Sequence, residues 1–189
     1  MLGLRPQQRI RWHMGWPHHQ ATQQPATRTS LHPNHSTQVM PLTSRDIKWL
    51  EACERLAPVF STCERKQYVA FIISNAGRVV GFGYNGSPPN LPHCSEAPCP
   101  RLSSDVQSGS RYDVGEGRCI AVHAEANAIM YSSPLDRVDA TLYVNGPPCP
   151  DCAKLIAASG IKRVVHLPNP DYPDACTTLG LQVVVAPWV

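Results

Sequence analysis

Val122-His123-Ala124-Glu125-Ala126-Asn127-Ala128-Ile129 and, further on, Pro148-Cys149-Pro150-Asp151-Cys152 decide how this chain is read. Ala124, Ala128 and Ile129 recur at helical spacing, so the first stretch predicts a helix over 122–131 with His123 and Glu125 in its first turn. Cys149 and Cys152 lie three apart at the start of a second short helix, predicted over 150–159 and ended by Gly160. That spacing puts both sulfurs on one side of a helix start, whose positive end favours thiolate over thiol. His123, Cys149 and Cys152 together are a zinc ligand set with the fourth position left for water. Zinc held this way lowers the pKa of that water to near neutrality. Glu125 is not needed as a ligand and is placed to move protons.

Other uses of C-x-x-C fit less well. A redox pair predicts no upstream His-x-Glu at a helix start, and a zinc ribbon predicts a second C-x-x-C. A closed structural zinc would require a fourth protein ligand in these stretches. The reading that remains is catalytic.

Working outward, Thr43 to Ala57 predicts a helix: Thr43 and Asp46 suggest a cap, and Trp49, Leu50, Cys53, Leu56 and Ala57 recur at helical spacing. Pro58 is expected to end it. Two short apolar runs, 68–74 and 78–82, flank the turn Asn75-Ala76-Gly77 and read as a β-hairpin. Residues 83–118 show little periodicity and are dense in Gly, Pro, Ser and Cys, the mark of a functional loop pinned by something. Strands are expected at 140–144, 163–167 and 182–186. A hairpin followed by alternating helices and strands predicts an α/β protein, a three-layer α/β/α sandwich around a mixed sheet of about five strands.

The 189 residues suffice for one domain with a substantial core. Their formal charge of +3 is not the footprint of a dedicated nucleic-acid binder. No apolar run approaches membrane-spanning length, and the N-terminus has no signal-peptide core, so a cytoplasmic protein is expected. In that setting the eight cysteines point to metal ligation more than to disulfides. Residues 1–40 are rich in Gln, Thr, Pro and His, with five of the eight histidines, and read as a disordered N-terminal extension. The zinc-dependent domain is expected over 41–189.

The pairing of H-x-E with P-C-x-x-C is the zinc-deaminase signature, and the chain resembles the cytidine deaminase-like superfamily. Within it, several stretches resemble the deoxycytidylate (dCMP) deaminase family: Ser61-Thr62-Cys63-Glu64-Arg65-Lys66, Gly83-Tyr84-Asn85-Gly86-Ser87-Pro88, Leu91-Pro92-His93-Cys94, Cys119 ahead of His123, and Cys149-Pro150-Asp151-Cys152-Ala153-Lys154. The resemblance spans roughly Asp46 to Val185. It implies hydrolysis of dCMP to dUMP, a cyclic-amidine hydrolase feeding thymidylate synthesis, with Glu125 catalytic and His123, Cys149 and Cys152 on zinc. It also implies that Asn85 holds the sugar, that the Ala124 backbone reads the pyrimidine edge, and that Tyr172 stacks near the base. The same resemblance implies a second, structural zinc on Cys63 and Cys94, a set that Cys99 and Cys119 would complete, with His93 as substitute; the alternative is that some of these cysteines are small buried packing residues. A homo-oligomer, such as a hexamer, and dCTP and dTTP effectors, with Mg2+ only alongside dCTP, also follow from the resemblance.

The phosphate contacts are left open, with Arg65, Lys66 and Arg101 as candidates. Cys53 and Cys176 read as packing residues. The rival readings are another cytosine nucleoside or nucleotide deaminase, a tRNA adenosine deaminase, and a zinc-binding structural subunit that keeps the fold without the chemistry. An RNA substrate would call for a basic face that the small net charge does not provide. A structural subunit would have no use for a free carboxylate beside the metal.

Overall fold

The computed structural model describes residues 41–104, 106–107, 110–112, 114–115 and 117–188. The extension read over residues 1–40 lies outside them. In chain order the elements are α1 (Ser44–Phe60), β1 (Val69–Ile73), β2 (Val79–Tyr84), α2 (Pro100–Ser103), α3 (Ala124–Met130), β3 (Thr141–Val144), α4 (Pro150–Ala158), β4 (Arg163–His166), a 3-10 turn at Thr177–Leu179, and β5 (Gln182–Val185). The strands form one five-stranded sheet in the order β2-β1-β3-β4-β5. The β1–β2 and β1–β3 pairs are antiparallel, and β3–β4 and β4–β5 are parallel. The sheet is mixed, as the sequence implied.

The side-chain alternation of β1 makes the three layers. Val69, Phe71 and Ile73 face one side with Tyr143, Val165 and Val184, and pack against Leu50, Cys53 and Ala57 of α1. Ala70 and Ile72 face the other side with Leu142, Val144 and Val164, and pack against Ala124 and Ala128 of α3 and Ala153 and Ile156 of α4. All five residues of β1 are buried, as befits a strand covered on both faces. Cys53 and Cys176 are fully buried in these two cores.

The Thr43–Asp46 pair forms a complete capping box at the start of α1. The helix does not stop at Pro58 but runs two residues past it to Phe60. Proline removes only its own bond to the carbonyl four residues back, and here that carbonyl belongs to Glu54 on the exposed face, where water can replace the lost donor. The long segment after β2 is less irregular than its composition suggests. It carries the short α2, and its ends are joined by a bridge in which Gly86 and Val122 exchange both backbone hydrogen bonds, at 3.1 and 2.8 Å.

That bridge delivers the chain directly into α3, and small residues decide how closely α3 lies on the sheet. A Cβ on Gly81 would sit 2.7 Å from the carbonyl oxygen of Ala128, and one on Gly83 would collide with the carbonyl of Ala124 and the amide of Ala128. Asn127 fastens the same contact by donating Nδ2 to the carbonyl of Tyr84 at 2.7 Å. Gly83→Ala therefore has to push α3 off β2. We expect a loss of about 1–3 kcal/mol together with weaker zinc retention, read from thermal melts and metal content. An unchanged melting temperature would mean that the helix has slack at this contact.

Candidate active site

Two helix starts converge at one place. His123 is the N-cap residue of α3, ahead of the first turn in which the periodicity put it, and Cys149 is the N-cap residue of α4, just before the helix as expected. Cys152 lies in the first turn of α4, and its backbone N–H donates to the Cys149 sulfur at 3.5 Å. Nδ1 of His123 is 3.5 Å from Sγ of Cys149 and 3.4 Å from Sγ of Cys152. Among the described residues these three form the one group of His, Cys, Asp or Glu ligand atoms that all lie within 4.8 Å of one another.

The donor set fits zinc. Bonds of about 2.3 Å to sulfur and 2.0 Å to nitrogen place N and S about 3.5 Å apart around a tetrahedral ion, the separation found here. The two thiols and the imidazole shift one another's protons. Cys149 is pushed down to about 4, first by its hydrogen bond with Cys152 and then, against the effect of burial, by His123. Cys152 is pushed up by the same bond to Cys149 and by burial. His123 is raised by its contact with Cys149, burial opposing. A dication balances two adjacent thiolates where protons otherwise must.

Glu125 follows in the first turn of α3 and is 6% exposed. Burial pushes its carboxyl up, with the charge of His123 working against that, and it lies in hydrogen-bond contact with Cys152. The carboxyl thus lies buried beside the His123 set.

These groups open into a cleft that also reaches residues 63–68, 85 and 144–149. Asn85, Ala124 and Tyr172 all line it, as the sequence reading expected of substrate contacts. The Asn85 side chain also works as a backbone brace. Its Oδ1 accepts from Ser61 Oγ at 2.6 Å and from the amide of Tyr68 at 2.8 Å, while Nδ2 donates to the carbonyl of Lys66 at 2.8 Å. Asn145, just past the end of β3, is its counterpart. It accepts from the amide of Val69 at 2.9 Å and donates to the carbonyl of Gln67 at 3.0 Å. The two amides hold residues 66–69 between the ends of β2 and β3.

Cys63, Cys99 and Cys119 line the same cleft. Cys94 hydrogen-bonds with Cys99, and burial, then Cys99 and Cys63, push its thiol up to about 11. Cys119 is raised by burial and feels Cys63 and Cys99. Nδ1 of the neighbouring His93 is buried without a hydrogen-bond partner. The four cysteines are thus neighbours, more loosely gathered than the His123 set.

Tyr112 was not legible as a site residue. It comes from the aperiodic segment, packs edge-on against the His123 ring at 5.3 Å and 89°, and shares a 2.7 Å hydrogen bond between its hydroxyl and that of Tyr172.

Residues 43–167 match the model of the cytidine and deoxycytidylate deaminase zinc-binding region. The chain belongs to the cytidine and deoxycytidylate deaminase family. Within this family it is similar to the deoxycytidylate deaminase of Mycobacterium phage D29, with 50% identity over 106 residues, 56% of this chain and 81% of that protein. It is 35% identical to the human deoxycytidylate deaminase over 102 residues, 53% of this chain and 52% of that one. The family fold is also that of the dCMP deaminase from cyanophage S-TIM5, solved with dCMP and dUMP, at a TM-score of 0.60 and 24% identity over 78% of this chain and 100% of that one. Among the described residues no helix is long and apolar enough to cross a membrane.

Proposed function

We propose that the chain is a zinc-dependent deaminase that hydrolyses dCMP to dUMP and ammonia. The observation that carries this is the three-ligand set at two helix N-caps with a buried carboxylate beside it and no call on a fourth protein ligand. The substrate is inferred from the likeness to the phage deoxycytidylate deaminase.

His123, Cys149 and Cys152 would hold the zinc, which supplies activation of the attacking water. Glu125 would carry one proton of the attacking water to ring nitrogen N3, where it stays, and then the hydroxyl proton of the C4 adduct to the amine, so that C4–NH2 becomes C4=O with release of ammonia. The α3 N-terminus presents the amides of its first turn to the pyrimidine edge, with Ala124 foremost. Asn85 keeps the segment 66–69 in place and offers its remaining amide hydrogen toward the sugar. The ring of Tyr172 gives the base a flat wall.

Further parts of the reading rest on family resemblance. A second zinc on Cys63, Cys94, Cys99 and Cys119, with His93 as substitute, would tie the long segment to the hairpin and to α3. Homo-oligomer formation, dCTP and dTTP as effectors with Mg2+ accompanying dCTP, and a cytoplasmic setting belong to the same proposal.

The test is ammonia release by zinc-loaded protein offered dCMP, CMP, deoxycytidine and cytidine in parallel, with metal analysis of the same preparation. Strong preference for dCMP and about two zincs per chain are expected. Turnover of nucleosides alone would overturn the nucleotide assignment, and one zinc per chain would remove the structural site.

A further inference from the structure

Three cationic side chains, Arg65, Lys66 and Arg101, line the cleft, whereas its described carboxylate lining is Glu125 alone, set beside the metal ligands. A neutral nucleoside leaves that positive field unused. Arg101 is the unusual member. It is 3% exposed, and it reaches the cleft from α2 on the long segment. Its terminal nitrogens are bonded to the carbonyl of Arg111 at 2.8 Å and to Ser110 Oγ at 2.6 Å, but Nε is buried with no hydrogen-bond partner among the described residues. A buried guanidinium N–H in a ligand cleft is costly unless an acceptor arrives there.

The same guanidinium stacks on the ring of Tyr112, 4.6 Å from its centroid, and the ammonium of Lys66 lies 4.9 Å over the ring of Tyr172. The two rings so backed meet hydroxyl to hydroxyl at 2.7 Å. Cations and phenol hydroxyls gathered in one part of the cleft suit a compact dianion.

We propose that Tyr112 is a specificity-determining residue that selects nucleotide over nucleoside by donating its hydroxyl to a phosphate monoester, with Arg101 Nε and Lys66 on the same anion. This rests on the deoxycytidylate reading and extends it to a residue that the ligand motifs do not contain. Arg101 holds the loop that brings Tyr112 to His123, so its removal would disturb both roles. Tyr112→Phe is the cleaner change, because it keeps the ring against the imidazole and deletes the donor alone.

The experiment measures kcat/KM for dCMP and for deoxycytidine with wild type, Tyr112→Phe and Lys66→Met, each zinc-loaded and checked for melting temperature. Losing one hydrogen bond to a charged group is expected to lower the dCMP-to-deoxycytidine ratio about tenfold or more in Tyr112→Phe. Lys66→Met should move the ratio the same way. A ratio that stays within threefold of wild type in Tyr112→Phe overturns the proposal, whatever happens to the absolute rates. Wild-type protein that does not favour dCMP overturns both this proposal and the substrate assignment. A wild-type preference that survives Tyr112→Phe overturns this one alone.

Discussion

Glu125→Gln is expected to lower kcat by about 10²–10⁴-fold, the usual range for losing a positioned general acid–base, while leaving the zinc in place. The carboxylate is not one of the three ligand atoms that lie within 4.8 Å of one another, so metal content has no reason to fall. Glutamine preserves shape and the first turn of α3 but can neither take the water proton nor return it. The measurement pairs turnover of dCMP with zinc per chain. Undiminished turnover would remove Glu125 from the mechanism. Loss of zinc along with activity would make it part of the metal's support instead.

The largest expected effect on stability lies on the opposite face of the sheet. Asp46 is 1% exposed and gathers three segments at one carboxylate. Arg163 of β4 donates Nη1 and Nη2 to its two oxygens at 2.7 and 2.9 Å, Tyr143 of β3 donates its hydroxyl at 2.7 Å, and Thr43 donates both amide and hydroxyl at 2.8 Å. Asp46→Ala leaves the Arg163 charge, itself 14% exposed, without its partner. Breaking such a buried pair costs about 3–5 kcal/mol, equivalent to a melting temperature lower by on the order of 10 °C in a domain of this size.

The pH dependence has a definite sign. Burial alone would raise the Asp46 carboxyl, but Arg163, then Tyr143 and Thr43, outweigh it and hold it well below the usual carboxylate range. A pKa lower in the folded than in the unfolded chain gives stabilisation that is complete above the unfolded value, about 3.9, and is lost as pH falls toward the folded one. The difference in melting temperature between wild type and Asp46→Ala should therefore be widest near neutrality and narrow below about pH 4. A difference that stayed constant through that range would show that the ionised carboxylate is not its source.

What could be read from sequence was local. The three ligands and Glu125 lie on two short stretches whose helical phase fixes their relative placement, and β1 and β3 announce themselves as apolar runs. Asp46 and Arg163 are 117 positions apart, and nothing near either residue advertises the pair. Asn85 stood out as a sugar contact, but its bracing role, like that of Asn145, had the same disadvantage. An asparagine before glycine reads as a tight turn, whereas here each amide substitutes for backbone pairing that the diverging strands no longer provide. Tyr112 was hidden because its segment has no periodicity, and only the Gly86–Val122 bridge and the Arg101 anchor bring it to the metal ligands. Pro58 misled for a related reason: whether a proline ends a helix depends on where the carbonyl four residues earlier points.

The bracing amides carry a chemical liability. Asn85 and Asn145 each precede a glycine, the setting in which the following backbone nitrogen attacks the side-chain carbonyl most readily and releases ammonia through a cyclic imide. Either conversion would leave an acid where Nδ2 now donates, and set a negative oxygen against the carbonyl of Lys66 or of Gln67. Ring closure requires the amide to swing toward its own chain, and each is tethered at both ends by bonds of 3.0 Å or less. The brace thus shields its own parts from ageing, and spontaneous amide loss at these two sites is confined to moments when the ends of the strands come apart.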